Sequence, residues 1–156
     1  MSDEPDDPRL DPQFLDREGI DAATVEAVGK LSEAMETIEV ARGHLYAFHQ
    51  LSGRADFQVE EAVELLRKAG HEDLADRLDR ELVGRNVLPG RWTFQVVEDY
   101  AATYYEPFRR FDAEARELTG GHPHLFEAGL KRGRRTPGEP AHAADPAEAG
   151  DAGQAG

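Results

Sequence analysis

Between Phe94 and Leu118 the apolar residues fall at Phe94, Val97, Ala101, Tyr104, Phe108, Phe111, Ala115 and Leu118, steps of three and four without a break. That period is the signature of one face of an α-helix, and a 25-residue run of it leaves few folds open. No stretch of the chain shows strand-like alternation of useful length. The fold class expected is therefore all-α. Pro107 lies within this run, where it removes one backbone hydrogen bond and is expected to kink the helix.

The same spacing recurs upstream. Val28, Leu31, Met35, Ile38, Leu45 and Phe48 predict a first long helix from about Ala22 to Leu51, capped by Asp21 and stopped at Ser52-Gly53. A shorter helix is predicted over Phe57–Ala69, capped by Asp56 and ended by Gly70. Another is expected near Glu72–Val83, with Leu74, Leu78 and Leu82 as a narrow stripe closing at Gly84. The segment Arg85–Arg91 is a loop with Pro89-Gly90 as its turn, and the long helix from Trp92 to Leu118 follows. A last short helix is expected over His124–Arg132. Two long helices with a short helix pair between them give an antiparallel helical bundle, with seams wide enough to leave both monomer and dimer open.

Composition sets the limits of the domain. Residues 1–22 are acidic and proline-containing, and residues 133–156 hold no large apolar side chain. Both are expected to be flexible, because neither buries enough surface to offset the entropy of ordering. Residues 23–132 form the helical domain. The formal charge is -14, which argues against non-specific nucleic-acid binding. Lys131-Arg132-Gly133-Arg134-Arg135 is a local basic run, read as a solvated helix end. There is no cysteine, hence no disulfide or thiolate metal site. No long apolar stretch or secretion signal is visible, so no membrane partner and a cytoplasmic location are expected.

Two clusters carry the candidate ligand-binding residues. Arg42, His44 and His49 lie near the end of the first predicted helix. Arg42 and His49 share its seam side, where a polar group needs a partner such as Glu98. Arg85, Asn86, Arg91 and Trp92 bracket the Pro-Gly turn beside a helix start. That arrangement serves either as an anion seat or as a clamp tied to Glu81, Glu98 or Asp99. A third group, His122, His124 and Glu127, has metal-ligand residue types but no marked fourth ligand. No metal site or cofactor is assigned, and no catalytic residue is identified. Phosphate-loop, zinc-protease, serine-hydrolase and dinucleotide motifs are all absent from the sequence.

Two resemblances add to this. Glu60-Glu61-x-x-Glu64, followed by Asp73, Asp76 and Asp79, resembles the magnesium site of the all-helical MazG-type nucleoside triphosphate pyrophosphohydrolases. The resemblance implies that Glu61, Glu64, Asp76 and Asp79 would hold magnesium against a triphosphate. It covers about twenty residues, and the second motif lacks its leading glutamate. The segments ARGHLYAFHQ, ELVGRNVLPGRWTFQVVE and HPHLFEAGLKRGRRTPG are similar to small helical proteins of unassigned function from actinobacteria and salt-adapted archaea. Three functions follow as expectations. The first is a helical module that binds a protein partner or itself. The second is a ligand-binding protein or enzyme with a pocket carrying Arg42, His49, Arg91 and Glu98. The third is the magnesium pyrophosphohydrolase.

Overall fold

A computed structural model of the protein describes residues 19–121 and 124–142, and every structural statement below concerns these residues. The expectations for His122 and for most of the two end segments lie outside them. The chain is all-α: helices α1 (Ala22–Lys68), α2 (Glu72–Glu81), α3 (Thr93–Tyr100), α4 (Glu106–Glu117) and α5 (Leu125–Arg134) follow in order. Among the described residues there is no strand, only an isolated bridge pairing Leu88 with Arg91 across the Pro-Gly turn. No described helix is long and apolar enough to cross a membrane.

The first difference from the sequence expectation is the length of α1. It does not stop at Ser52-Gly53 but runs 47 residues, taking in the predicted second helix. The reason lies in its inward row. Met35, Ile38, Arg42, Leu45, His49, Ser52, Asp56, Val59, Val63 and Leu66 step by three and four along one face, and each is buried or half-buried. Four of the ten are polar, so the row does not read as a seam in the sequence. Each of three finds a partner: Arg42 a tyrosine ring, His49 a hydroxyl, Asp56 a backbone N–H. Asp56 is thus no helix cap. Its Oδ1 accepts the Gly84 N–H at 2.8 Å, holding the loop after α2 against the middle of α1.

Gly53 and Gly70 make this difference testable. Gly53 sits in helical backbone, and a methyl group added there meets nothing within 4 Å. Gly70 has φ +86 and closes α1 with the His71 N–H on the Leu66 carbonyl and the Gly70 N–H on that of Arg67, a Schellman end. Gly53→Ala should therefore stabilise the protein by about 1 kcal/mol, and Gly70→Ala should destabilise it by a similar amount. Urea unfolding of the two variants checks this. Destabilisation by Gly53→Ala would mean that the helix breaks there after all.

The second long helix is nearly continuous from Thr93 to Glu117, as expected, but its middle is a π-helical turn, Ala101–Tyr105. Pro107 explains the turn. It has no N–H, and its ring crowds the carbonyl four residues back; widening the helix just before it, with the Glu106 N–H reaching the Ala101 carbonyl, relieves that clash.

The buried face of this helix also differs. Ala101, Tyr105, Phe108, Asp112, Ala115 and Thr119 face inward, whereas Phe94, Tyr104, Phe111 and Leu118 are exposed. Three of the residues expected in the seam, Ala101, Phe108 and Ala115, are common to both rows. The other flank was misread because Tyr104, Phe111 and Leu118 are more apolar than Tyr105, Asp112 and Thr119, which bury through specific polar contacts.

The chain divides into two compact units. One comprises Met35–Arg109; the other comprises the segments up to Ala34 and from Arg110 onward. In the second, Val28, Gly29 and Ser32 of α1 are buried, as are Asp112, Thr119, Leu125 and Ala128. Within the segment from residue 133 on, α5 continues to Arg134 and a 3-10 turn spans Pro140–His142.

Candidate functional site

Within the Met35–Arg109 unit, the polar members of the α1 inward row meet the start and end of the segment Thr93–Tyr105. The Arg42 guanidinium lies 4.2 Å from the Tyr105 ring centroid and 5.5 Å from that of Tyr46. A cation over an aromatic face in a half-buried place is worth about 1 kcal/mol. The Tyr105 hydroxyl donates to Glu39 Oε1 at 2.5 Å. Glu39, Arg42 and Tyr105 thus form a closed set, in which the carboxylate takes the phenol proton donor and the guanidinium covers the ring.

This set shifts one titration. The Glu39 carboxylate holds the Tyr105 phenol above the ordinary tyrosine range, and burial adds to it, while Arg42 acts against it. The native state therefore keeps a proton that the unfolded chain loses near pH 10. Its stabilising contribution is complete below that pH and is lost as pH rises through the higher native value. Urea unfolding between pH 8 and 11 should show the native protein losing more stability above pH 10 than Tyr105→Phe does. Parallel curves would separate Tyr105 from the alkaline loss.

His49 is half-buried, with Nδ1 2.6 Å from Thr93 Oγ1. Its partner is the buried hydroxyl at the first residue of α3, not the Glu98 carboxylate that the sequence suggested. Glu98 is exposed on α3, and His44 is exposed on the outer face of α1. The first cluster therefore does not come together as a single site.

In the second cluster the arginines and Trp92 make the kind of contacts a clamp would make. Arg91 donates through Nε to Asp99 Oδ2 at 2.6 Å and through Nη1 to the Gly90 carbonyl at 3.1 Å. Asp99, one of the three acids expected as partners, takes it. Arg85 reaches the Glu81 backbone carbonyl at 3.2 Å, not its carboxylate. The Trp92 N–H is capped by Gln95 Oε1 at 2.8 Å, and its indole N–H donates to the Gly84 carbonyl at 3.2 Å. Asn86 is exposed. The Trp92 N–H is thus occupied, and both arginines reach the protein's own acceptors. Apart from the Arg91–Gly90 bond within the loop, these contacts hold the Arg85–Trp92 loop to the end of α2 and to α3.

The positions marked by the pyrophosphohydrolase resemblance do not gather. Among the described residues, no three histidine, aspartate or glutamate side chains group as metal ligands would. Asp76 and Asp79 instead receive the same Arg67 Nη2, each at 3.1 Å, and clip α2 to the end of α1. His124 Nδ1 lies 3.9 Å from Glu127 Oε2, a loose pair at the start of α5.

A second polar set lies in the other unit. Asp112 is 4% exposed, accepts the Ser32 hydroxyl at 3.0 Å and pairs with Arg116 Nη2 at 2.7 Å. Sequence reading missed both Tyr105 and Asp112. The only signal was their spacing, seven apart on one helix face with Thr119 seven further on.

No family model, curated protein or solved structure matches the chain.

Proposed function

We propose that the chain is a helical binding module that acts by holding a protein partner or another copy of itself. The observation that supports it is the distribution of large apolar side chains. Among the described residues sixteen are exposed, whereas the buried ones of comparable size are Val28, Met35, Val63, Tyr105 and Leu125. Single exposed apolar residues are ordinary, but an aligned set of them is the mark of an interaction surface. Along α1 they align: Val40, Leu51 and Leu65 share the face opposite the inward row, with Phe57 on its flank. The polar clusters, by contrast, are taken up by the protein's own acceptors and rings.

The test is site-specific photo-crosslinking in the cells that make the protein. A photoreactive residue at Leu51 or Leu65 should yield a covalent adduct with a polypeptide, and one at the exposed Asp73 of α2 should not. If Leu51 and Leu65 give no adduct beyond the Asp73 background, the module does not bind protein through α1.

A further inference from the structure

Resting on that reading, we infer that the partner of the outer face of α1 is a second copy of this chain, with the two α1 helices packed antiparallel about a twofold axis between Ser52 and Gly53. The outer face is a heptad row in its own right. Val40, His44, Ala47, Leu51, Arg54, Gln58, Glu61 and Leu65 step by four and three without interruption, and all eight are exposed. Half of the row, Val40, Ala47, Leu51 and Leu65, is apolar, and its spacing is that along which a second helix packs. On the opposite side of α1 the inward row is already covered by the helix's own unit.

The residues along the outer seam match themselves in reverse. Set antiparallel about that axis, Val40 meets the second copy's Leu65, and Ala47 meets Gln58. Leu51 lies across from the stem of Arg54, whose charged head reaches water. His44 comes opposite Glu61, and at the two ends Glu36 comes beside Lys68, so each polar contact brings acid to base and occurs twice. In a parallel pairing Glu61 would face Glu61, and Arg54 would face Arg54, like charges in contact. The small side chains of Gly43, Ala47, Ala55 and Ala62 on this side of the helix allow the backbones to approach.

Val40, Leu51, Phe57 and Leu65 are 62%, 58%, 68% and 64% exposed. The three row residues, with Phe57 and Phe48 on its two flanks, would supply the apolar part of an interface whose total has to reach about 1,000 Å². The row from Val40 to Leu65 is about 37 Å long, which spreads that area over a stable helix pair.

The absence of cysteine makes the register directly readable. Full-length Val40→Cys and Leu65→Cys chains, mixed and mildly oxidised, should give a disulfide-linked heterodimer. Val40→Cys alone should give none, because its two thiols would stand about 37 Å apart. Leu51→Arg, which would set like charges against Arg54 of the second copy, should keep its helical circular dichroism and shift the dimer to monomer in sedimentation and native mass spectrometry.

A native chain that stays monomeric at 100 µM overturns the second copy as partner, while a photo-adduct at Leu51 with a different protein would leave the binding-module reading standing. A dimer in which Val40→Cys links to itself overturns the antiparallel register. A dimer that Leu51→Arg leaves intact overturns this face as the interface. In both of those cases self-association itself survives.

Discussion

Tyr105→Ala is expected to lower the unfolding free energy by about 3–5 kcal/mol, the cost of deleting a buried aromatic ring. Two contacts go with the ring. The side chain is 7% exposed, so its cavity lies inside the Met35–Arg109 unit. The Arg42 guanidinium loses the face it lies on at 4.2 Å, and the Glu39 carboxylate loses its donor. Tyr105→Phe keeps the ring and loses only the bond to a charged acceptor, which should cost about 1–2 kcal/mol. A double-mutant cycle between Arg42→Ala and Tyr105→Ala should return a coupling of about 1 kcal/mol. Denaturant unfolding reads all three. A loss below about 1 kcal/mol for Tyr105→Ala would show that the π-helical turn does not hold this ring in a packed core.

Tyr105 also shows what the sequence does and does not disclose. The all-helical class, the Asp21 cap, the Pro-Gly turn and the long helix after Trp92 are all legible, since each depends on local chemistry: period, cap, turn residue. Asp21 does accept the Thr24 N–H, at 2.9 Å. What is not legible is which flank of a helix faces inward when the polar residues there find partners far along the chain. Apolar period favours Tyr104, Phe111 and Leu118; the fold buries Tyr105, Asp112 and Thr119. Two of these are satisfied by groups that spacing alone does not reveal, Tyr105 by the Glu39 carboxylate, 66 residues away, and Asp112 by the Ser32 hydroxyl, 80 away, while Thr119 bonds the Arg116 carbonyl near the end of α4. The same cause hides the continuity of α1. His49, Ser52 and Asp56 look like the frayed end of one helix and the cap of another, because Thr93 and Gly84, their structural complements, lie 44 and 28 residues from His49 and Asp56.

The candidate site follows the same pattern. Arg91 with Asp99 was foreseeable, being one helix start and eight residues apart. Arg42 was rightly placed on the seam, but its aromatic partner was on no list of acids. Exposed stripes are legible only in retrospect, since a sequence with two heptad rows on one helix does not say which row its own fold will use.

Asp112→Ala is the second substitution with a large expected effect, about 2–3 kcal/mol. The carboxylate is buried at 4% exposure and serves two groups, the Ser32 hydroxyl at 3.0 Å and Arg116 Nη2 at 2.7 Å. Ser32 itself is 2% exposed, so deleting the acceptor leaves a sealed hydroxyl without a partner, worth about 1 kcal/mol or more. Arg116 loses its counter-ion while its Nε is already buried without a hydrogen-bond acceptor. Breaking a buried pair from one side costs about 3–5 kcal/mol when the remaining charge is trapped. Here the Arg116 side chain is 36% exposed, so its head can turn to water and the cost is smaller. Asp112→Asn keeps an acceptor for Ser32 and should lose about half as much. Because desolvation of the pair is itself expensive, Asp112→Leu combined with Arg116→Met should recover much of the loss. Thermal and urea unfolding of the four chains distinguish these cases. If Asp112→Ala were as stable as the native chain, the carboxylate would be a tolerated passenger in that unit; if the Leu–Met pair recovered nothing, the ion pair would be a net contributor to its stability.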